Sequence, residues 1–501
     1  MRFFVLLSFA AVIIACKQQK SPTPEQVAAD RARGIELPKT IGVYQWTKDY
    51  VEDVPDDDYI HASVAAHEAF RDIKYSVRIH WGVYSKWGIE ASWPFINRFG
   101  PLAMDAAKKQ EYMDLYKTFN PTQFNADEWI DWFKSCGMQA FAFTTKHHDG
   151  FSMYHTATRV HQRLNYLQGD SAGLEPVIED CDVAYSIAET PFKRDIVGEL
   201  CDAAHRKNFK IDLYYSHPDW YDADFRPYIS HPAGYIPRTP EATDRFVKRH
   251  REQLTELLTK YGKIDMVCLD MSLGADVWPE IKKTVKIMRS LQPDVMIRVR
   301  GIGNYGDYFQ PEQEIPADAL KTNMPWMSIC LLGKIFAFDP VAENYKGAKW
   351  VIHSLIECVA KGGSFMVCIG PDEFGKFHPE AVRQLNEVGE WLKINGKGIY
   401  ETRGRDVWHS GDFYFTRSKN SKRVYAFTEN AETLRATSVV ERETSLHIPA
   451  ITPRKGGKVY MFGNKKPLKW QQAGDGVDVE IPANVTENLP CKYAWGFEIE
   501  V

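Results

Sequence analysis

Short apolar runs alternate with longer amphipathic stretches between about residues 70 and 400, and this alternation constrains the fold more than any other feature of the sequence. The pattern is typical of β/α units built around a parallel sheet. Seven runs are predicted to be strands, at residues 76–80, 138–144, 209–215, 266–270, 295–299, 326–330 and 365–369. Five intervening stretches are predicted to be helices, at residues 127–135, 194–207, 240–261, 279–291 and 344–360. Seven strands predict a (β/α)8-like TIM barrel in which one strand is degraded or not recognisable.

Polar or aromatic side chains lie at or just beyond the end of almost every predicted strand. They include His80, His147, His148, Tyr215, Asp270 and Arg300. The carboxyl ends of the strands in a barrel all meet at one face, where side chains from several strands converge on a ligand. The sequence therefore predicts a binding or catalytic site at the C-terminal face of the barrel.

Two adjacent histidines, His147 and His148, follow the second predicted strand and precede the turn residue Gly150. Neighbouring strand residues point to opposite faces, so both rings can reach one ligand only beyond the last pleat. A metal site would be expected to use a His-x-His spacing or a third Cys or His close by. A site for a sugar or another polyol is favoured, with metal ligation and exposed polar residues as the alternatives. No metal or other cofactor is predicted.

The pattern changes after Tyr400 to short runs of alternating polar and apolar residues, separated by Gly, Asn and Lys. Alternation at that spacing predicts an antiparallel β-sandwich. We therefore expect a barrel domain at residues 41–402 and a sandwich domain at residues 403–501.

The first 15 residues combine a basic start with a short apolar run, which predicts a signal peptide rather than a membrane span. The run ends in Ile13-Ile14-Ala15-Cys16, which resembles a bacterial lipobox. That resemblance implies cleavage before Cys16 and attachment of lipid to its sulfur. Residues 16–40 are predicted to be a polar tether. We expect a lipid-anchored protein of the bacterial cell envelope, in the periplasm or on the outer-membrane surface, with an ordinary signal peptide as the alternative.

The net charge of the chain argues against one class of partner. Its formal value is -4 at pH 7, which gives no electrostatic reason to expect nucleic acid. Aromatic residues make up 13% of the sequence and provide flat faces for neutral ligands. A small or polymeric neutral ligand fits this composition better, and contact with a membrane is expected only through the lipid anchor.

Several motifs occur in one order along the barrel region. They are Ile79-His80-Trp81-Gly82-Val83-Tyr84-Ser85, Lys146-His147-His148-Asp149-Gly150-Phe151, Arg194-Asp195-Ile196-Val197, Tyr214-Tyr215-Ser216 with Trp220, and Lys361-Gly362-Gly363-Ser364 with Ile369-Gly370-Pro371. The series resembles the α-L-fucosidases of glycoside hydrolase family 29 over roughly residues 75 to 402. The resemblance implies a catalytic barrel followed by a β-sandwich, and hydrolysis of a glycosidic bond with retention of configuration.

The same resemblance implies the identity of the nucleophile. Asp270 matches the family's aspartate at the end of barrel strand four, although a helix N-cap or an ion pair with Arg300 would also account for an acid there. Arg300 would orient the carboxylate or stabilise developing charge. Tyr215 would lie near the nucleophile, and Tyr214 would point the other way.

Sugar-binding residues are implied in the same way. His80, His147 and His148 would hydrogen-bond sugar hydroxyls. Trp93, or alternatively Trp87, would cover the apolar face of the sugar. These side chains come from three separate segments of the chain.

The chain departs from the family where a glutamate often supplies the acid/base. Met327 stands at that position in the Pro-Trp-Glu-like segment, and methionine cannot transfer a proton. Glu312, in the loop after the fifth predicted strand, is our first choice for the acid/base, ahead of Glu314 and Asp307. The chain is thus predicted to be an atypical member of the family.

Three functions remain open at this stage. The first is an exported, retaining exo-glycosidase that removes terminal α-L-fucosyl residues from glycans. The second is a related α-glycosidase with a different sugar preference, such as a galactose-like sugar. The third is a catalytically inactive surface glycan-binding lipoprotein, which the methionine at position 327 would explain.

Overall fold

A computed structural model describes residues 35, 37, 47–96, 104–168, 177–225, 239–320, 322–430, 445–482, 485 and 487–501. The predicted signal peptide, the predicted lipidation site Cys16 and nearly all of the predicted tether lie outside these residues. Within the described ranges, no helix is both long enough and apolar enough to cross a membrane.

The described part of the first four hundred residues contains nine strands. They are β1 (Tyr75–Ile79), β2 (Ala140–Lys146), β3 (Val160–Asn165), β4 (Val177–Val183), β5 (Lys210–Ser216), β6 (Met266–Asp270), β7 (Met296–Ile297), β8 (Met327–Leu331) and β9 (Ser364–Ile369). Strands β3 and β4 form a separate hairpin, and the other seven form one parallel sheet in the order β7-β6-β5-β2-β1-β9-β8. Each of these seven overlaps one of the predicted runs, so the prediction of a parallel β/α sheet is confirmed.

The described residues include eight α-helices. They are α1 (Val64–Asp72), α2 (Ala106–Asp114), α3 (Ala126–Ser135), α4 (Ile196–Arg206), α5 (Pro240–Lys260), α6 (Trp278–Leu291), α7 (Ala348–Ala360) and α8 (Pro379–Asn395). Helices α3 to α7 match the five predicted helices. The start of α4 has a clear local cause, because the side chain of Asp195 caps the helix by accepting a hydrogen bond from the N–H of Gly198 at 2.9 Å. The apolar face of this amphipathic helix is buried.

The described residues between β7 and β8 do not include the regular strand that an eightfold barrel would have there. Single parallel bridges join Tyr308 to Arg298 and Glu312 to Ile329, so this part of the chain follows the course of a strand without forming one. Pro311 lies within it and has no N–H to donate to a ladder. The structure therefore shows a curled parallel sheet of seven strands, and residues 308–312 form isolated bridges to Arg298, Trp326 and Ile329.

Apolar side chains near the strand starts fill the inner face of the curled sheet. Four of them are the methionines Met266, Met296, Met327 and Met366, none more than 2% exposed. Alternate residues of a strand share a face, so the side chains of Cys268 and Asp270 follow that of Met266 along β6. The inner face is therefore apolar near the strand starts and polar near the carboxyl ends.

The C-terminal part consists of antiparallel sheets, as predicted. Its strands are β10 (Thr402–Arg403), β11 (His409–Ser410), β12 (Phe413–Ser418), β13 (Arg423–Thr428), β14 (Ser445–Ile448), β15 (Val459–Met461), β16 (Lys469–Ala473), β17 (Gly476–Glu480) and β18 (Trp495–Glu500). One sheet has the order β10-β12-β13-β18-β15, with β11 paired to β12, and the other has the order β14-β17-β16. Apolar residues of both sheets belong to one buried cluster, which includes Phe415 and Val477.

Candidate active site

The carboxyl ends of neighbouring strands bring the predicted polar side chains together. Ser216 of β5 pairs with Asp270 of β6, and Tyr214 pairs with Cys268 two residues earlier. Residues that pair across a ladder lie on the same face of the sheet. Tyr214, Ser216 and Asp270 therefore share the inner face at the C-terminal end of the sheet, where the sequence predicts the site.

Asp270 is 8% exposed, and both of its carboxylate oxygens have partners. Oδ1 accepts hydrogen bonds from Nη1 of Arg300 at 2.6 Å and Nη1 of Arg298 at 3.4 Å. Oδ2 accepts a hydrogen bond from the hydroxyl of Tyr214 at 2.6 Å and lies 3.8 Å from Nε2 of His148. Burial alone would raise the pKa of Asp270, but the two guanidinium groups hold it well below its ordinary value of 3.8. Asp270 is therefore ionised at neutral pH.

Glu312 binds the same guanidinium group as Asp270. Its Oε2 accepts a hydrogen bond from Nη1 of Arg300 at 2.6 Å and lies 3.6 Å from Nη2 of Arg298. Because both carboxylate oxygens lie 2.6 Å from one nitrogen, they can be no farther apart than twice that distance. Retaining glycosidases hold their two carboxyl groups about 5 to 5.5 Å apart. The side chain of Glu312 is 37% exposed, against 11% for the side chain of Asp270 alone, so Glu312 stands nearer to solvent.

The two other acids considered for the acid/base lie in different surroundings. Asp307 is fully buried, pairs with Nη2 of Arg289 at 2.5 Å and accepts a hydrogen bond from the N–H of Ala62 at 2.9 Å. These contacts tie the chain before α1 to the segment after β7, which is a structural role. Glu314 lies two residues beyond Glu312 and is exposed.

Met327 lies far along its strand from the catalytic face. It is the first residue of β8, whereas Asp270 is the last residue of β6. Its side chain is fully buried, and its sulfur accepts a hydrogen bond from Oγ of Ser76 at 3.2 Å. A carboxylate at position 327 would therefore lie among the buried residues near the strand starts rather than beside Asp270.

Three buried histidines line the inner face beside Asp270. The ring centroids of His147 and His148 are 4.1 Å apart, and those of His80 and His147 are 5.5 Å apart. Burial lowers the pKa of His148 to about 4, and it lowers the pKa values of the other two histidines well below 6.5. All three rings are therefore neutral at pH 7. A neutral imidazole both donates and accepts hydrogen bonds, which suits the hydroxyls of a sugar.

Each of these rings has its Nδ1 atom engaged by a neighbour. Oγ of Ser92 lies 2.5 Å from Nδ1 of His147, and Oγ of Ser216 contacts Nδ1 of His148. The Sγ atom of Cys368 lies 3.4 Å from the corresponding nitrogen of His80. These contacts fix the ring orientations, so a ligand would meet the Nε2 atoms.

The prediction that Tyr215 lies beside the carboxylate of Asp270 is wrong. The hydroxyl of Tyr215 instead donates a hydrogen bond to Oε1 of Gln253 in α5 at 2.8 Å. Tyr214 occupies the inner face and contacts Asp270. The prediction that the two tyrosines point in opposite directions is correct. The tyrosine at the site is Tyr214 rather than Tyr215, because Tyr214 lies on the same face of the sheet as Cys268 and Asp270.

Aromatic rings surround the histidines. Trp93 packs edge-on against His148 at a centroid distance of 4.7 Å and against Trp220 at 5.5 Å. Trp220 in turn lies 5.1 Å from His148. Trp87, the alternative to Trp93, packs against Tyr112 beneath the ammonium group of a lysine instead. Trp93 is therefore the tryptophan of this pair that lies beside the histidines.

Phe336 and Glu90 lie on another side of the site and are called its wall below. The ring of Phe336 lies 4.8 Å from that of His80, and its backbone N–H donates a hydrogen bond to Oε2 of Glu90 at 2.8 Å. Burial raises the pKa of Glu90 to about 7, although this hydrogen bond opposes the shift. The wall thus combines an apolar ring with a carboxyl group that is partly protonated at neutral pH.

The described residues contain no group of three or more His, Cys, Asp or Glu side chains arranged to hold a metal ion. The histidines contact hydroxyl and sulfur atoms of neighbouring side chains and one another. Their arrangement matches a binding surface for a polar organic ligand.

Comparison with known proteins agrees with this geometry. A family model described as α-L-fucosidase matches residues 54–397, and a second, described as the α-L-fucosidase C-terminal domain, matches residues 405–500. The chain belongs to the α-L-fucosidase family. The family and the enzyme class predicted from the sequence, a glycoside hydrolase of α-L-fucosidase type, are thereby confirmed.

Other α-L-fucosidases resemble the chain over most of its length. The tissue α-L-fucosidase of Mus musculus is 24% identical and covers 86% of this chain and 91% of its own. Among solved structures, α-L-fucosidase isoenzyme 1 from Paenibacillus thiaminolyticus has a TM-score of 0.69 at 23% identity and covers 92% of this chain and 98% of its own. A Bacteroides thetaiotaomicron α-L-fucosidase, trapped as a covalent intermediate, has a TM-score of 0.69 at 23% identity and covers 88% and 97%.

Several residues of this fucosidase-family site were not predicted, among them Arg298, Tyr214 and Phe336. Arg298 is the second guanidinium at Asp270, and it lies two positions before Arg300 on the same face of the chain. That spacing of two is a signal that could have identified it. Tyr214 has the same kind of signal relative to Ser216. Phe336 lies in a loop after β8 and has no comparable sequence pattern.

Proposed function

We propose that the protein is an exported, retaining exo-glycosidase that removes terminal α-L-fucosyl residues from glycans. The observation that carries the proposal is the pair of carboxylates, Asp270 and Glu312, held by one Nη1 atom of Arg300. Their separation suits a nucleophile and an acid/base that act on the same anomeric carbon. The covalent intermediate trapped in the Bacteroides thetaiotaomicron relative supports the same stereochemical course.

In the first step, Asp270 attacks the anomeric carbon while the bond to the leaving oxygen breaks. Glu312 gives its proton to that oxygen, so the leaving group departs as an alcohol and an ester joins the sugar to Asp270. The proton would reside on Oε1 of Glu312, since Oε2 faces Arg300. In the second step, Glu312 takes a proton from water, the water oxygen attacks the anomeric carbon, and the ester bond breaks.

Arg300 has a specific role in this scheme. The first step removes negative charge from Asp270, which becomes an ester, and creates it on Glu312, which loses its proton. Nη1 of Arg300 contacts both carboxylates, so it faces the negative charge before and after the step. A guanidinium that needs no movement during the reaction stabilises the charge without reorganisation.

The histidines and Trp93 form the proposed seat of the sugar. His80, His147 and His148 are each no more than 4% exposed, so they form the base of the site and favour recognition of a terminal sugar. Their Nε2 atoms would bind hydroxyls. Phe336 would face the C5 methyl group of fucose, since an apolar ring gains nothing from a hydroxymethyl group.

Two alternatives make contrasting predictions. A relative with altered specificity would accept a galactose-like sugar, which carries a hydroxyl where L-fucose has only the methyl group. An inactive glycan-binding protein would bind without hydrolysis. The position of Met327 at the start of β8 supports an active enzyme, because a methionine there removes nothing from the neighbourhood of Asp270.

We also propose that the bridges of residues 308–312 close the curled sheet into a (β/α)8-like barrel and that the two C-terminal sheets pack as a β-sandwich. The bridges to both edge strands and the shared apolar cluster support these two arrangements. Export and lipidation at Cys16 rest on the sequence alone. Replacing Cys16→Ser should release the protein from the membrane fraction, and retention there would contradict the anchor.

Hydrolysis of paired substrates tests the proposed function directly. Purified protein would be assayed with aryl α-L-fucoside, the corresponding aryl glycoside of a galactose-like sugar, and natural fucosylated oligosaccharides, with NMR detection of the first anomer released. We expect hydrolysis of the fucoside with release of α-L-fucose first. Preference for the galactose-like sugar would favour the second alternative, and release of the β anomer would contradict retention. Binding of oligosaccharide without turnover would identify a glycan-binding protein.

A further inference from the structure

The residues that follow Asp270, Arg300 and Glu312 have an unusual backbone conformation. Met271 after Asp270, Gly301 after Arg300 and Gln313 after Glu312 have φ values of 67°, 80° and 59°. Glycine adopts such values freely, but a residue with a Cβ atom is disfavoured there. Two of these positions therefore hold a conformation that the rest of the structure must enforce.

Gln313 shows how this conformation is enforced. Its backbone N–H donates a hydrogen bond to the carbonyl of Ile329 at 2.8 Å. Its side-chain Oε1 accepts a hydrogen bond from the N–H of Leu331 at 3.2 Å. Both partners belong to β8, so Gln313 is attached to this strand at two levels by its backbone and its side chain.

The attachment matters because Glu312 lies outside any regular strand, and its bridge to β8 consists of the bond from Gln313 and one bond from the N–H of Ile329 to the carbonyl of Pro311 at 2.9 Å. The segment that carries it meets the neighbouring strands only through isolated bridges, and no helix or strand follows it before β8 among the described residues. The side chain of Glu312 is also partly exposed. Its contact with Arg300 fixes one oxygen, whereas the direction of the backbone at this point depends on the residue that follows.

We infer that Gln313 is a positioning residue for Glu312, and that its left-handed conformation and its two bonds to β8 hold the Glu312 carboxyl at the leaving-group oxygen. This inference rests on the proposed function of Glu312 as the acid/base. Gln313 itself does not touch the reacting atoms. Its effect on catalysis should therefore depend on the presence of Glu312 and on how much acid assistance the leaving group needs.

Substitution of Gln313 provides the test. In Gln313→Val the β-branched side chain opposes a positive φ and removes the bond to Leu331. We expect kcat/KM for a natural fucosylated oligosaccharide to fall about 10- to 100-fold, as for a small displacement of a catalytic group. The value for an aryl fucoside with a good leaving group should change less than about twofold, because its departure needs little protonation.

Two matched variants separate positioning from folding. Gln313→Gly keeps the conformation and the backbone bond and loses only the side-chain bond, so its effect should be smaller than that of the valine. Ser421→Val places the same residue at a φ of 55° in the turn between β12 and β13. It should lower the melting temperature without changing the ratio of the two kcat/KM values.

A double-variant cycle completes the test. In a Glu312→Gln background, Gln313→Val should cause no further loss with the oligosaccharide. Equal losses on both substrates, or additive losses in the cycle, would overturn the positioning role. If Glu312→Gln alone leaves oligosaccharide hydrolysis unchanged, the assignment of Glu312 fails instead, so the two failures are distinguishable.

Discussion

The two carboxylates of the site are held by very different structures. Asp270 ends β6, and all five residues of that strand pair in register with β5. Glu312 ends a segment that has only isolated bridges and contains a proline. The proposed nucleophile thus stands on a regular strand, and the proposed acid/base stands on irregular backbone. A nucleophile must reach one carbon atom, whereas an acid/base serves a leaving group that differs among substrates.

Removal of the carboxylate on the regular strand is expected to have the largest effect on catalysis. Asp270→Ala should lower kcat by about 10⁴-fold or more for every fucoside, as expected when a covalent nucleophile is lost. The loss should be the same for activated and natural substrates within about tenfold, because ester formation is common to both. Added azide should restore turnover of an activated fucoside and give a fucosyl azide of inverted configuration. Turnover at the parent rate without azide would contradict the assignment.

Removal of the carboxylate on the irregular segment should have a selective effect. Glu312→Gln should lower kcat/KM for natural oligosaccharides by about 10²- to 10⁴-fold. An aryl fucoside with a good leaving group should lose much less in the first step. The two substrates would be measured side by side, with Glu314→Gln as the matched control that should change neither. A uniform loss on both substrates would remove Glu312 as the acid.

The adjacent tyrosines of β5 should show a smaller difference, between a side chain that contacts Asp270 and one that points to the outer face. Tyr214→Phe deletes a hydrogen bond to the ionised Asp270 and should lower kcat by about 10- to 100-fold, the effect of a bond to a charged group. Tyr215→Phe deletes a bond to Gln253 on the outer face and should cost about 1 kcal/mol of stability with kcat unchanged. Kinetics and thermal unfolding of both variants would be compared. Equal kinetic effects would show that the face of the strand is irrelevant.

The free energy of unfolding should depend on pH through the buried ring of His148, and this effect is the smallest of those predicted. The pKa of His148 is about 4 in the folded state against an ordinary 6.5, so the unfolded state binds its proton first as the pH falls. The contribution of the neutral His148 ring to the free energy of unfolding is fully present above about pH 6.5 and is lost as the pH falls toward 4. His148→Gln should therefore reduce the slope of unfolding free energy against pH in this interval by up to about 1.4 kcal/mol per pH unit. An unchanged slope would contradict burial of a neutral ring.

The same contrast explains what the sequence could predict. The strand that carries Asp270 is a continuous apolar run with a polar end, so both the strand and its last residue are recognisable. The segment that carries Glu312 has no such pattern, and only the absence of a better candidate pointed to it. Its contact with Arg300 depends on how the chain folds between the two residues, which no periodicity of the sequence records.

Side-chain direction was predictable only where the register was known. The period of two separated Tyr214 from Tyr215, but the pairing of β5 with β6 was needed to decide which one faces Asp270. Met327 shows a related limit. The resemblance of its segment to the family's Pro-Trp-Glu motif identified its position in the chain, whereas its depth along β8 became visible only in the structure.

Trapping of the glycosyl-enzyme ester is the most direct test that Asp270 is the nucleophile of a retaining mechanism. The protein would be incubated with 2-fluoro-fucosyl fluoride, digested and analysed by mass spectrometry for the peptide that carries the sugar. We expect a single fucosyl ester on Asp270, slower trapping of Tyr214→Phe, and no ester on Asp270→Ala. An ester on a different carboxylate, or continued hydrolysis of natural fucosides without any ester, would contradict a retaining mechanism at Asp270.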